Sequence, residues 1–149
     1  MSVTFRPATA DDIADILNLL RDDSLGAARE GADMQHYLRA FETMQAEGNN
    51  HLIVGEFDGQ VIATYQLTFI SGLSLRASRR AQIESVRVST RLRSQGFGTA
   101  MIADAEQRAR AAGCSLMQLT MNATRKDAHR FYERAGFVAS HVGFKMDLG

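Results

Sequence analysis

The chain has 149 residues, 45% of them hydrophobic and 23% charged, which is one domain's worth of ordinary globular composition and excludes disordered and fibrous classes. Seventeen lysines and arginines balance seventeen aspartates and glutamates, so no general basic field favours nucleic acid or an anionic membrane surface. Cys114 is the single cysteine and cannot form an internal disulfide; with no charged-then-apolar leader and no apolar run of spanning length, the expectation is a cytoplasmic protein that does not enter membranes.

In chain order, Val3 to Pro7 reads as a short strand ended by the only proline, with Thr9 placed to cap the first helix. Residues 10 to 22 carry Ile13, Ile16, Leu17 and Leu20 at helical spacing, with Asp11 and Asp12 in the first turn where the helix dipole favours acids. Asp22 to Gly31 is polar and reads as a loop. A second helix over 33–47 repeats the pattern with Met34, Tyr37, Leu38, Phe41 and Met44, and Gly48-Asn49-Asn50 ends it. From His51 the period falls to two. His51 to Phe57 and the alternating run from Val61 to Phe69 make a hairpin across Asp58-Gly59, a pair suited to a type I′ turn.

A loop over 71–80 carries Arg76, Arg79 and Arg80, and a strand over about 81–88 leads into a glycine-containing turn. The helix over 98–112 places Ile102, Ala105, Ala109 and Ala112 on one face, with Gly113 as its left-handed C-terminal residue. Leu116 to Met121 is a strand. A last helix begins near Thr124, three residues before Asp127, and turns Ala128, Phe131, Tyr132 and Ala135 inward before Gly136. Phe137 to Leu148 is expected to close the chain as one bent strand or two short ones. The order is that of a single α/β domain over 1–149 on one sheet, antiparallel early and parallel across the connection 88–115.

Arg93-Ser94-Gln95-Gly96-Phe97-Gly98 lies between a strand and a helix. It has neither the Gly-Lys-Ser/Thr ending of a Walker A loop nor the three glycines of a dinucleotide fingerprint. Glycines without a Cβ let phosphates approach the backbone, and the N–H groups and positive end of the adjoining helix would receive them. The same pattern also suits a plain strand-to-helix turn.

Set beside the Val86-Arg87-Val88 strand and the downstream Ala128 to Phe137 segment, Ala-x-x-Phe-Tyr-Glu-x-x-Gly-Phe, the turn resembles the Arg/Gln-x-x-Gly-x-Gly/Ala motif of the GCN5-related N-acetyltransferase (GNAT) superfamily. The resemblance covers essentially the whole chain. It implies a mixed, mostly antiparallel central sheet of six to seven strands flanked by about four helices. It also implies acetyl-CoA as co-substrate, its pantetheine arm pairing with the backbone of Val86, Arg87 and Val88. The pyrophosphate would then lie on the N–H groups of Arg93, Ser94, Gln95, Gly96, Phe97, Gly98 and Thr99. Arg91 is expected to face solvent.

Tyr132 is implied as the general acid that protonates the departing thiolate: a phenol of pKa about 10 still holds its proton at neutral pH and passes it downhill to a thiol of about 8.5. A buried core tyrosine is the competing reading. Glu84 is the candidate base for an incoming ammonium; by strict alternation it shares a face with Val86 and Val88, an awkward place for a carboxylate unless a bulge or open cleft lies there. An ion-pair role, or proton loss through ordered water, stays open. Arg125 stands where family members often carry an asparagine near the pantetheine, so it reaches a phosphate or the substrate, or caps the turn. Asn122 is a second candidate for that contact.

The implied reaction is direct acetyl transfer to a primary amine, on a small molecule, a protein N-terminus or a lysine. An acyl-CoA-binding sensor without turnover is the alternative, and a transferase acting on aminoacyl-tRNA through the Arg76, Arg79, Arg80 loop is a third reading. The acceptor pocket is expected around 22–37, with Asp22, Asp23, Glu30 and Asp33, and around 70–80. The histidines lack ligand spacing, so no metal is expected; Cys114 reads as a core residue; a homodimer is left open.

Overall fold

The computed structural model describes residues 2–22, 33–93 and 95–149. Five strands form one sheet in sequence order: β1 (Thr4–Pro7), β2 (Asn50–Phe57), β3 (Gln60–Ile70), β4 (Arg80–Val88) and β5 (Leu116–Leu119). Neighbours are antiparallel as far as β4, and β5 runs parallel to β4. The helices are α1 (Ile13–Arg21), α2 (Met34–Glu47), α3 (Phe97–Ala111) and α4 (Lys126–Arg134). Among the described residues no helix is long and apolar enough to cross a membrane.

Local chemistry accounts for the boundaries. Asp58 and Gly59 both have positive φ, 53° and 74°, as a type I′ turn demands, and they join β2 to β3. Gly113 closes α3 at φ 81°. Asp33 caps α2 by accepting the His36 N–H at 3.0 Å. The 71–80 connection contains a short turn, Ser74–Ala77, in which Leu75, Arg76 and Ala77 are all left-handed.

Two cores cover the two faces of the sheet. Ile53, Tyr65, Leu67 and Ile83 pack with Met101, Ile102, Ala105 and Ala109 of α3. On the opposite face Val54 packs with Ile13, Ile16 and Leu17 of α1 and Phe41 of α2. Alternation along β2, with Ile53 on one side and Val54 on the other, makes a layered α-β-α arrangement.

Polar groups tie the layers together. Arg6 holds Asp12 through two bonds of 2.7 and 2.9 Å and also reaches Glu56. Its hydrogen bonds keep the buried Asp12 carboxyl below the usual carboxylate range. Across the α3 face, the Tyr65 hydroxyl donates to Asp104 at 2.5 Å, and Arg108 donates to the same carboxylate at 2.8 Å and to the Phe5 carbonyl at 3.2 Å. Burial, then Asp104, raises the Tyr65 hydroxyl far above its ordinary value.

The C-terminal expectation does not hold. Residues 138–149 join no ladder, so the described residues form five strands rather than six or seven. The α4 pattern is also shallower than expected: Phe131 and Tyr132 are half-buried, Ala135 is exposed, and no residue of the helix is fully buried. Both departures follow β5, which among the described residues is the last strand of the sheet.

Asp104→Ala should cost about 2–3 kcal/mol in urea unfolding, because it strands a fully buried phenol beside Arg108. Tyr65→Phe should cost about 1 kcal/mol, and the double variant less than the sum.

Candidate functional site

β4 determines the site. Its antiparallel register with β3 runs from Ile70↔Arg80 to Gln66↔Glu84, then resumes at Thr64↔Arg87, so Ser85 and Val86 together oppose Tyr65. This is a β-bulge, and Ser85 takes φ 54°, a left-handed value that is strained for a residue with a Cβ. The bulge resolves the conflict over Glu84. Before it, Glu84 shares a face with Gln66, on the α1/α2 side, and is exposed; after it, Val86 and Val88 pack into the α3 core. Glu84 and Val86 therefore point to opposite faces despite their spacing of two.

The second feature is a gap between strands. The parallel β4/β5 ladder stops at Ile83↔Leu119, while β4 continues for five residues. After β5, Asn122 accepts both the N–H and the hydroxyl of Thr124, at 3.0 and 2.6 Å, turning the chain into α4. On its β5 side the backbone of Glu84 to Val88 has no strand paired to it, among the described residues. An extended amide-bearing ligand would complete it as an added strand.

Gly96 caps α3 with φ 84° and nothing within 4 Å of where a Cβ would stand. The first intrahelical bond runs from Ala100 N–H to the Gly96 carbonyl. The N–H groups of Phe97, Gly98 and Thr99 thus start the helix with no carbonyl a turn behind them in the helix, the geometry of an anion site. Arg93, Gln95 and Thr99 are exposed around this turn, and Ser94 lies outside the described residues. The Phe97 side chain serves the core, buried and packed 5.2 Å from Phe57, which leaves only its backbone for a ligand. Gly98 has a second cause: a Cβ there would lie 3.2 Å from Phe131 of α4.

Tyr132 packs against the α3-side core that Val86 and Val88 also meet, and its ring lies edge-on to Phe131 at 5.2 Å and to Phe137 at 5.8 Å. Burial raises its hydroxyl above the ordinary value, and the positive fields of Arg125 and Arg87 partly offset this. Arg125 is the N-cap residue of α4, so its position beside Tyr132 is fixed by the turn. Arg87 is buried and donates to the Val86 carbonyl at 2.9 Å. Asn122, engaged with Thr124, serves the turn.

On the other face a cleft of about 120 Å³, partly open to solvent, lies between α1, α2 and the sheet. Its walls include Ile16, Leu17, Tyr37 and Phe41, and its polar residues are Thr64, Gln66 and Ser85. Sequence reasoning missed Ser85. The signal was there: apolar positions shift from odd, Ala81 and Ile83, to even, Val86 and Val88, as one extra residue between them would make them do.

The charged loops expected to shape the acceptor pocket have other work. Asp22 accepts the Thr90 N–H at 3.0 Å and Asp33 caps α2; Asp23 and Glu30 lie outside the described residues. Arg79 donates to the Ala112 carbonyl at 2.6 Å and lies over the Phe69 ring. Arg80 begins β4 five residues before the bulge, so this loop is roughly 17 Å along the strand from Ser85.

Comparison with known proteins bears on this geometry. Residues 13–137 match the model of the "Acetyltransferase (GNAT) family". An aminoalkylphosphonate N-acetyltransferase of Salmonella typhimurium is 30% identical over 143 residues, covering 96% of this chain and 90% of that protein. A crystal structure described as a transcriptional regulator from Bacillus halodurans C-125 is 41% identical with a TM-score of 0.93, covering 99% of this chain and 100% of the other. A putative acetyltransferase from Agrobacterium tumefaciens is 26% identical with a TM-score of 0.87, at 97% and 99% coverage.

Gly98→Ala should destabilise the protein by about 1–2 kcal/mol by pushing on Phe131, and Phe131→Leu in the same chain should restore part of that loss. Gly96→Ala meets no atom, so its cost, about 1–2 kcal/mol, should come from the left-handed backbone alone and be unaffected by Phe131→Leu; urea unfolding checks both.

Proposed function

The chain belongs to the acetyltransferase (GNAT) family, and from that membership we propose that it moves an acetyl group from acetyl-CoA directly to the primary amine of a small molecule. The observation that carries this reading is the open edge of β4 from Glu84 to Val88, with Tyr132 on one face of the sheet and the apolar cleft on the other. Along that edge the backbone of Val86, Arg87 and Val88 receives the pantetheine amides. The turn from Arg93 to Thr99 receives the pyrophosphate on the N-terminus of α3, with the Arg93 side chain free to add a phosphate contact.

The protein's groups divide the work. Backbone N–H near Val86, held by the bulge, donates to the thioester oxygen as it gains negative charge. Glu84, exposed on the cleft side, takes the ammonium proton directly or through water, giving the amine the lone pair with which it attacks. Tyr132 gives its proton to the sulfur as the carbon–sulfur bond breaks, and is reprotonated from solvent. No acyl-enzyme is needed, since the thioester is already activated and the cleft aligns the two reactants.

The cleft favours a small acceptor. Its volume of about 120 Å³ leaves room for a compact body only. Its described lining is apolar with three neutral polar side chains and no cationic one, which suits an amine on an alkyl or aromatic body. An aminoalkylphosphonate, the acceptor named for the Salmonella typhimurium relative, would bring an anion to this lining. A sensor that binds acetyl-CoA without turnover is the second reading, favoured by the description of the Bacillus halodurans relative as a transcriptional regulator.

Coenzyme release should be measured over alkyl, aromatic and phosphonate amines. Turnover with at least one apolar amine is expected, and tight acetyl-CoA binding with no turnover on any of them would favour the sensor. Tyr132→Phe should lower kcat by about 100-fold or more while KM for acetyl-CoA changes by less than about threefold. Because burial raises Tyr132, the alkaline limb of kcat should begin above about pH 10. A limb near pH 8 that persists in Tyr132→Phe would place the acid in another group and sink the assignment.

A further inference from the structure

We propose, on the reading of the apolar cleft as the acceptor site, that Gln66 receives the acceptor's amine. A hydrogen-bond relay from Glu47 through Asn50 sets the Gln66 side-chain amide with its carbonyl oxygen toward the cleft.

Three polar side chains reach the cleft: Thr64, Gln66 and Ser85. Thr64 is buried and its hydroxyl donates to the Ile53 carbonyl at 2.8 Å, so its proton is committed to the sheet. Gln66 is half-buried and its Nε2 donates to Asn50 Oδ1 at 2.8 Å, while its Oε1 has no donor among the described residues. A carbonyl oxygen only accepts and an ammonium only donates, so the two are complementary. Gln66 also stands directly opposite Glu84 in the β3/β4 register, where cross-strand Cβ atoms are about 5 Å apart. A primary ammonium has one N–H for Gln66 and another for Glu84, the carboxylate that takes its proton. The amine left behind still donates to Gln66 while its lone pair is freed for attack.

A side-chain amide turned by half a revolution exchanges donor for acceptor, so what Gln66 offers the cleft depends on what fixes it from behind. Glu47, at the C-terminal end of α2, is a carboxylate and only accepts. It takes Asn50 Nδ2 at 3.1 Å. Asn50 Oδ1 is thereby left for the other side, where it accepts from Gln66 Nε2 and from the Thr68 hydroxyl at 3.2 Å. A hydroxyl can donate or accept and would follow either orientation, so the carboxylate alone sets the direction. Each amide passes it on, and a carbonyl oxygen instead of an NH2 group faces the cleft. Reversed, Gln66 would present donors to a ligand group that has only donors.

The test takes whichever of n-butylamine, isobutylamine, benzylamine and aminomethylphosphonate the wild type acetylates best, followed by coenzyme release. Gln66→Met keeps the side-chain length and removes the acceptor. It should raise KM for that amine about tenfold or more, with kcat within about threefold and KM for acetyl-CoA within about twofold. Glu47→Lys replaces a group that only accepts with one that only donates, which reverses the relay; KM for the amine should rise about fivefold or more although Gln66 is intact. In the Gln66→Met background the same substitution should change KM by less than about twofold, since no amide remains to turn. An amine KM that Gln66→Met leaves unchanged would overturn the proposal. So would a Glu47→Lys effect of equal size in both backgrounds, the mark of a charge acting on the amine directly. If Gln66→Met unfolds, by circular dichroism, Glu47→Lys at its exposed position decides through salt. An effect that persists at about 0.5 M sodium chloride is the relay, and one that vanishes there is a screened field and sinks it. A wild type that acetylates none of these amines fails earlier, at the reading of the cleft itself, and the role of Gln66 falls with it.

Discussion

One additional residue in β4 organises the functional half of this protein. With Ser85 and Val86 both opposite Tyr65, the strand keeps its core contacts on each side of the bulge while reversing which face its side chains serve. Without it, Glu84 would point with Val86 and Val88 into the α3 core, where an unpaired carboxylate is expensive. The left-handed strain at Ser85 is the local cost. In return the strand presents Glu84 and Ser85 to the α1/α2 side and anchors Val86 and Val88 in the α3 core.

The second constraint is that β5 stops early. A parallel partner running the full length of β4 would satisfy the backbone of Glu84 to Val88 and leave no place for an extended ligand. The ladder ends at Ile83↔Leu119 and the Asn122–Thr124 turn carries the chain away, so the sheet opens where the bulge lies. The N-terminus of α3 and the start of α4 flank that opening. Gly98 and Phe131 lock the two helices at van der Waals distance, which couples the anion-binding turn to the helix that bears Tyr132. A side chain at position 98 would therefore disturb both ends of the site.

Much of this was legible in the residues. Helical spacing located α1, α2 and α3, and Asp58-Gly59 gave the hairpin because only a pair tolerant of positive φ makes that turn. The two motifs, Arg93 to Gly98 and Ala128 to Phe137, pointed to the family and to Tyr132. The bulge was half legible. Its parity shift from Ile83 to Val86 is written in the sequence, but a strict period of two, applied from Glu84 onward, hides it. Ser85 was passed over for the same reason, being a small polar residue with no motif of its own. The acidic and basic loops show that a charge in sequence does not reveal its partner: Asp22, Asp33 and Arg79 engage backbone groups.

The sequence by itself determined the elements, their order and the chemistry at the strand-to-helix turn, because periodicity, turn residues and helix termini are local and act over a few positions. The tertiary structure decided which face Glu84 serves, where β4 and β5 part, and that Gly98 answers to Phe131 as well as to a ligand. It also decided that the patterned strand after Phe137 stays outside its own sheet. These depend on contacts between residues far apart in the chain, where register and available space, more than residue type, set the outcome.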